Sequence, residues 1–143
     1  MFFPTLQVAS VDASVQFWTA LGYSFNPMFS SDTVKCLVLQ EDQVAVMLHE
    51  PSSFTGFLPG TTPSDSQATT EVLLAFDLDS REAVDTLFEG VIANGGSIAR
   101  PTEDLGFMYT RSFRDIDGHI WEPFFMDLEA AAAMNSEERP AAS

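Results

Sequence analysis

The sequence predicts an α+β fold in which two βαβββ half-repeats combine into one cup-shaped, sheet-lined domain. Three observations predict it. Apolar runs of strand length surround two stretches with helical periodicity, near Ala13–Leu21 and Val84–Ile92. The order of elements then repeats, with Asp12 superposing on Ser80 at an offset of about 68 residues. Each half is also too small to bury its own sheet face, so the halves must pair. A chain of 143 residues that is 45% hydrophobic fits one compact domain. Its expected limits are 2–127, with half-repeats 2–50 and 71–127 around a linker at 51–70, and a tail at 128–143.

Phe2 to Val8 reads as the first strand, after which Ser10 or Asp12 can cap a helix over Ala13–Leu21. Val15, Phe17, Trp18 and Leu21 give that helix an apolar face, and Gly22 ends it. Strands follow at Tyr23–Phe29, Val34–Gln40 and Val44–Glu50, the last two joined through Glu41-Asp42-Gln43. Pro51 to Thr70 is rich in Ser, Thr, Pro and Gly and reads as a linker or mobile flap, with Phe54, Phe57 and Leu58 as lid contacts.

The second half starts with a strand at Glu71–Leu78, then Asp79 and Glu82 at capping-box spacing. Val84, Leu87, Phe88, Val91 and Ile92 form a full helical stripe, which Gly95-Gly96 terminates. Strands follow at Ser97–Arg100, Phe107–Arg114 and Ile120–Met126, with Phe107, Met108 and Phe113 expected in the core. The tail from Glu129 reads as one short helix followed by disorder.

The totals exclude several functions. With 21 acidic and 6 basic residues the net charge is −15, a field that repels nucleic acid and anionic lipid. No apolar run approaches the 18 or so residues that span a bilayer, and the N-terminus lacks a basic, cleavable leader pattern, so the expected location is the cytoplasm. The single cysteine, Cys36, sits in an apolar run and reads as a buried structural thiol. There is no Gly-rich phosphate loop, no Ser/His/Asp set and no Cys–His metal spacing.

The segment Ser112–Asp127 organises the rest. Asp117-Gly118 is a strong turn pair, and the strand after it carries one carboxylate, Glu122, among large apolar neighbours. A lone charge in such a run faces either water or a cavity where it has work to do. The expected site is centred on Glu122.

The repeat and two motifs resemble the vicinal oxygen chelate superfamily, the glyoxalase/bleomycin resistance protein/dioxygenase group. Ser14-Val15-Gln16-Phe17-Trp18 through Leu21-Gly22-Tyr23 is similar to the family's first helix, and Asp115-Ile116-Asp117-Gly118-His119-Ile120-Trp121-Glu122 to its terminal turn and strand. The resemblance implies ligand positions on the first and last strands of each half. Carried over, these are Phe3, Met47, Glu71 and Glu122. Phe3 cannot ligate, and Met47 is too soft a donor for Ni, Zn, Mn or Fe in an oxygen-rich site. Alternation along the strands leaves another set, with His49, Glu71 and Glu122 as metal ligands helped by Gln7.

The catalytic candidates are therefore Glu122 and Glu71. If both point inward, the pKa of one should rise. Gln7, His49, Tyr109, Arg111 and Phe57 are candidate ligand-binding residues, while His119 reads as a surface side chain. The resemblance implies a homodimer that binds a small molecule in a pocket floored by the two glutamates, with the metal site degraded and the activity open. The alternatives are a metal-dependent lyase or extradiol dioxygenase, using a divalent Ni, Zn, Mn or Fe ion, and a protein that sequesters a cationic antibiotic.

Overall fold

The computed structural model describes residues 2–138, which fall into two compact units. The first comprises the residues through Glu71 together with Ile116–Gly118, and the second Val72–Asp115 with the residues from His119 onward. The fold is mixed α+β, each unit being a sheet with a helix against it.

In the first unit, β1 (Thr5–Gln7) leads into α1 (Val11–Ala20), β2 (Ser24–Phe25), β3 (Val34–Gln40) and β4 (Val44–His49). The strand order is β1-β4-β3-β2, with β1 parallel to β4 and the other pairs antiparallel. Ser10 caps α1 by accepting from the Ala13 amide at 3.2 Å. The helix closes in a Schellman arrangement: the Gly22 amide donates to the Thr19 carbonyl and the Tyr23 amide to that of Trp18. Gly22 supplies the left-handed φ of 92° that this closure needs. Val11, Ser14, Phe17 and Trp18 face the sheet and are buried.

The expected strand Tyr23–Phe29 is cut to two residues. Pro27 offers no ladder amide, so the chain turns at Asn26 into a 3-10 turn over Pro27–Phe29, whose Met28 amide donates to the Asn26 side chain. The Pro51–Thr70 segment contains a short helix, α2 (Pro51–Thr55), lying against β1 and β4.

The second unit repeats the scheme. Here β5 (Leu73–Asp77) leads into α3 (Arg81–Ala93), then β6 (Ser97–Ile98), β7 (Glu103–Asp104), β8 (Met108–Thr110), β9 (Phe113–Arg114) and β10 (Ile120–Met126). Central β10 runs parallel to β5 on one side and antiparallel to β8 and β9 on the other. The capping-box reading shifts by one residue: Ser80, not Asp79, caps α3, accepting from the Ala83 amide at 3.0 Å. Burial of Val84, Leu87, Phe88 and Val91 holds α3 to its sheet. At about 1.5–3 kcal/mol per fully buried side chain, these residues outweigh the cap, worth about 1 kcal/mol.

The expected strand Phe107–Arg114 is split at Arg111-Ser112 while its register against β10 continues. Pro123, opposite, has no amide to give, and one long bond remains, from the Arg111 amide to the Pro123 carbonyl at 3.4 Å. The helix in the tail is α4 (Leu128–Glu138); the disorder expected beyond it lies outside the described residues.

The turn that launches β10 is held on both sides. Asp115 accepts from the Trp121 indole at 2.8 Å and from the His119 amide at 3.1 Å. Asp117 accepts from the Ala9 amide at 2.8 Å, and its carbonyl receives the Ser66 hydroxyl at 2.6 Å. Gly118 adopts φ 86°, and a Cβ there would lie 2.6 Å from the Ser66 carbonyl oxygen. The Asp-x-Asp-Gly motif is therefore structural: it fixes where β10 begins, and so where Glu122 lies.

Candidate functional site

Along β10, Trp121 and Pro123 are buried on the helix side, which puts Ile120, Glu122 and Phe124 on the opposite sheet face. Glu122 does not stand alone there. Arg100, just after β6, grips it at two points, Nε to Oε1 at 3.2 Å and Nη2 to Oε2 at 2.9 Å. A third guanidinium nitrogen reaches Glu103 at 3.4 Å. The carboxylate side chain is 16% exposed, so the pair is only partly screened by water.

The fork of Arg100 holds the Glu122 carboxyl below its ordinary range, against the opposing effect of burial, and the guanidinium is pushed up in turn. The Ser112 hydroxyl faces Glu122 across the sheet and lowers it further, although its hydrogen-bond geometry is poor. The rise expected of one carboxyl if Glu71 and Glu122 both point inward is not seen at Glu122, which is lowered, and Glu71 is exposed. At neutral pH it is a committed anion, unsuited to act as a general acid.

Glu71 is exposed and precedes β5; the residue in register with Glu122 is Ala75. In the first unit the matching pair is Thr5 and Met47. Thr5 and Ala75 stand 70 positions apart, whereas Met47 and Glu122 stand 75 apart, so one offset cannot align both ends of the halves. A shift of about 68 carries Phe3 onto Glu71, which lies four residues before Ala75.

Gln7 is in register with His49. His49 is buried beneath α2 and the turn after it, its Nδ1 2.9 Å from the Ser53 hydroxyl and its ring edge-on to Phe57. Burial pushes its pKa down, favouring the neutral ring. Tyr109 and Arg111 turn to the helix side of the second sheet. The Tyr109 hydroxyl and Arg111 Nη1 both donate to Asp85 of α3, at 2.6 and 3.0 Å, and the Arg111 guanidinium lies 3.8 Å over Phe88. His119 is half-buried in the turn, its amide donating to Asp115.

Among the described residues, no group of three or more His, Cys, Asp or Glu side chains is gathered so as to hold a metal ion. The register positions carry a hydroxyl, a thioether, a methyl group and one carboxylate already bound by a guanidinium. Neither unit's pair fits Ni, Zn, Mn or Fe.

The first unit contributes a cleft of about 200 Å³ on the face away from α1. Phe3, Phe29, Val38 and Ala45 are its apolar lining, with Cys36 among them. Asn26, Gln40, Glu41 and Asp42 are the polar part. Phe29 is brought there by the 3-10 turn, and Ser30 locks it by donating to the Asn26 carbonyl while accepting from the Cys36 amide. The signal was present in the Asn26-Pro27 pair, which marks a turn rather than a continuing strand. Arg100 had no such signal, because nothing local reveals how far an arginine side chain reaches.

The sequence profile described as the Glyoxalase/Bleomycin resistance protein/Dioxygenase superfamily matches residues 3–122. The chain belongs to that superfamily. Solved structures share the fold of the superfamily member described here. A hypothetical protein from S. aureus is 26% identical with a TM-score of 0.71, covering 87% of this chain and 91% of its own. A glyoxalase-related enzyme from Fulvimarina pelagi is 23% identical with a TM-score of 0.71, covering 87% and 86%. A genomically encoded fosfomycin resistance protein from Listeria monocytogenes is 20% identical with a TM-score of 0.63, covering 90% and 94%. No curated protein matches the chain. Among the described residues, no helix is long and apolar enough to cross a membrane.

Proposed function

We propose that this superfamily member binds a small organic molecule on its sheet-lined faces, without a catalytic metal at the family's ligand positions. The observation that carries the reading is the two-point Arg100–Glu122 pair. To coordinate a divalent cation, Glu122 would have to leave Arg100 and strand a guanidinium beside the metal. Coulomb repulsion and the loss of two charge-assisted hydrogen bonds both oppose that exchange. The Arg100–Glu122–Glu103 cluster acts instead as a fixed polar wall, able to offer ligands a guanidinium edge on one side and carboxylate oxygens on the other.

The test is ligand-observed NMR with a panel of small aromatic and aliphatic compounds, in the presence of excess chelator. The reading expects saturable binding that the chelator leaves unchanged. Binding only after a divalent metal is restored would overturn it.

The working form we propose is a cytoplasmic homodimer. Edge strand β5 and the residue before it expose Leu73 and Val72, at 59% and 45%, which is apolar surface that a second copy would cover. Sedimentation showing only monomer at micromolar concentration would remove the dimer.

A further inference from the structure

The geometry assigns the cleft between β3, β4 and the 3-10 turn of the first unit as a binding site for a small aromatic molecule bearing a protonated amine. The inference deepens the proposed function and rests on its claim that this protein binds small molecules.

Two independent features select the ligand. The first is the apolar half of the cleft. Phe3 and Phe29 are 45% and 53% exposed, although each has an apolar neighbourhood in which to lie. Two half-exposed rings at the mouth of an apolar recess leave area for a flat ring to cover. The thiol of Cys36 is 1% exposed, and burial pushes its pKa up, so it contributes apolar surface rather than a nucleophile.

The second is the charge of the hairpin that borders the cleft. Glu41 and Asp42 project from the β3–β4 hairpin, and both are exposed. Among the described residues, no lysine or arginine lines the cleft, and Lys35 is the only such residue in the sequence between positions 1 and 71. Among the described residues that line the cleft, no cation stands beside the two carboxylates, which leaves them to attract a ligand amine. Asn26 and Gln40 add neutral hydrogen-bonding groups to the lining.

The β-bulge between Val38 and Gln40 adds a local reason for the recess. It shifts the register beside the hairpin, and the sequence neighbours Val44 and Ala45 both line the cleft. The small side chain of Ala45, 6% exposed, leaves the depth that a larger residue would fill.

The experiment uses three probes of matched size: phenethylamine, 2-phenylethanol and 3-phenylpropionate. Each is titrated into isotope-labelled protein and followed by two-dimensional NMR. The amine should shift resonances within 26–29 and 36–45, bind at least about fivefold more tightly than the alcohol, and lose that margin in high salt. The propionate should be the weakest. In the Glu41→Gln/Asp42→Asn double variant the amine should fall to the level of the alcohol, with alcohol binding unchanged. Phe29→Ala should weaken amine and alcohol together, by about three- to tenfold. Both variants alter exposed side chains, and their thermal midpoints report whether the fold is intact. Equal binding of all three probes, or no binding by any of them, would overturn the assignment. Shifts that cluster around Arg100 and Glu122 would overturn the cleft but leave small-molecule binding standing.

Discussion

The two units use one strand order for two chemistries. In each, the first strand runs parallel to the last, and a serine-capped helix covers one face. On the other face, the equivalent register positions hold Thr5 and Met47 in one unit, Ala75 and Glu122 in the other. The first unit leaves a cleft lined by Phe3 and Phe29 and by the exposed Glu41 and Asp42. The second holds its one central carboxylate in the fork of an arginine. The backbone repeat fixes where side chains stand, but it does not fix what they do.

The hairpins that launch the last strands give the largest test of this comparison. Gly118 has no room for a Cβ and a positive φ, whereas Asp42, at φ 57°, already carries a side chain in its turn. Gly118→Ala is expected to cost about 2–5 kcal/mol, since backbone strain and a clash with a carbonyl oxygen add. Denaturant unfolding would measure it. A cost below about 1 kcal/mol would mean that the turn is not the rigid launch point described.

Arg100→Met comes next. It leaves Glu122 mostly buried without its partner, at a cost of about 1–2 kcal/mol once the 37% exposure of Arg100 is allowed for. The pH dependence carries the sharper signature. Because the folded carboxyl is held below its ordinary value of 4.5, the pair stabilises the fold above that pH and loses the contribution as pH falls towards the folded value. The acid limb of the stability curve should therefore flatten in Arg100→Met.

His49 behaves differently, and its window lies higher. Its folded pKa is below the ordinary 6.5, so the unfolded chain takes up the proton first and stability declines as pH drops below 6.5. His49→Gln should remove that slope and leave the region near pH 4 unchanged. Smallest of all, Asp42→Gly should shift stability by no more than about 1 kcal/mol, because glycine relieves the positive φ but loosens the unfolded chain.

Much of the fold was legible in the sequence. The limits of β3 and β10 agree with the expected Val34–Gln40 and Ile120–Met126, because long apolar runs bounded by turn residues say where strands begin and end. Where prolines intervened, the reading failed. Pro27 and Pro123 act on hydrogen-bond ladders, and Pro123 breaks a strand that is distant in sequence. The site was less legible than the fold. Glu122 is the lone charge of its strand, as its sequence context says, whereas Glu71 lies outside β5 and the residue in register with Glu122 is Ala75. Arg100 and Phe29 became visible only once tertiary structure brought them to their partners. Register and side-chain reach are non-local, and local periodicity carries neither.

The measurement that bears most directly on this account is a calorimetric titration of chelator-stripped protein with Ni, Zn, Mn and Fe(II), run beside Arg100→Met and Glu122→Gln. The native chain should show no stoichiometric binding, with Glu122 remaining on Arg100. Stoichiometric binding at micromolar affinity or tighter, abolished by Glu122→Gln, would contradict it and return Glu122 to the role of a metal ligand.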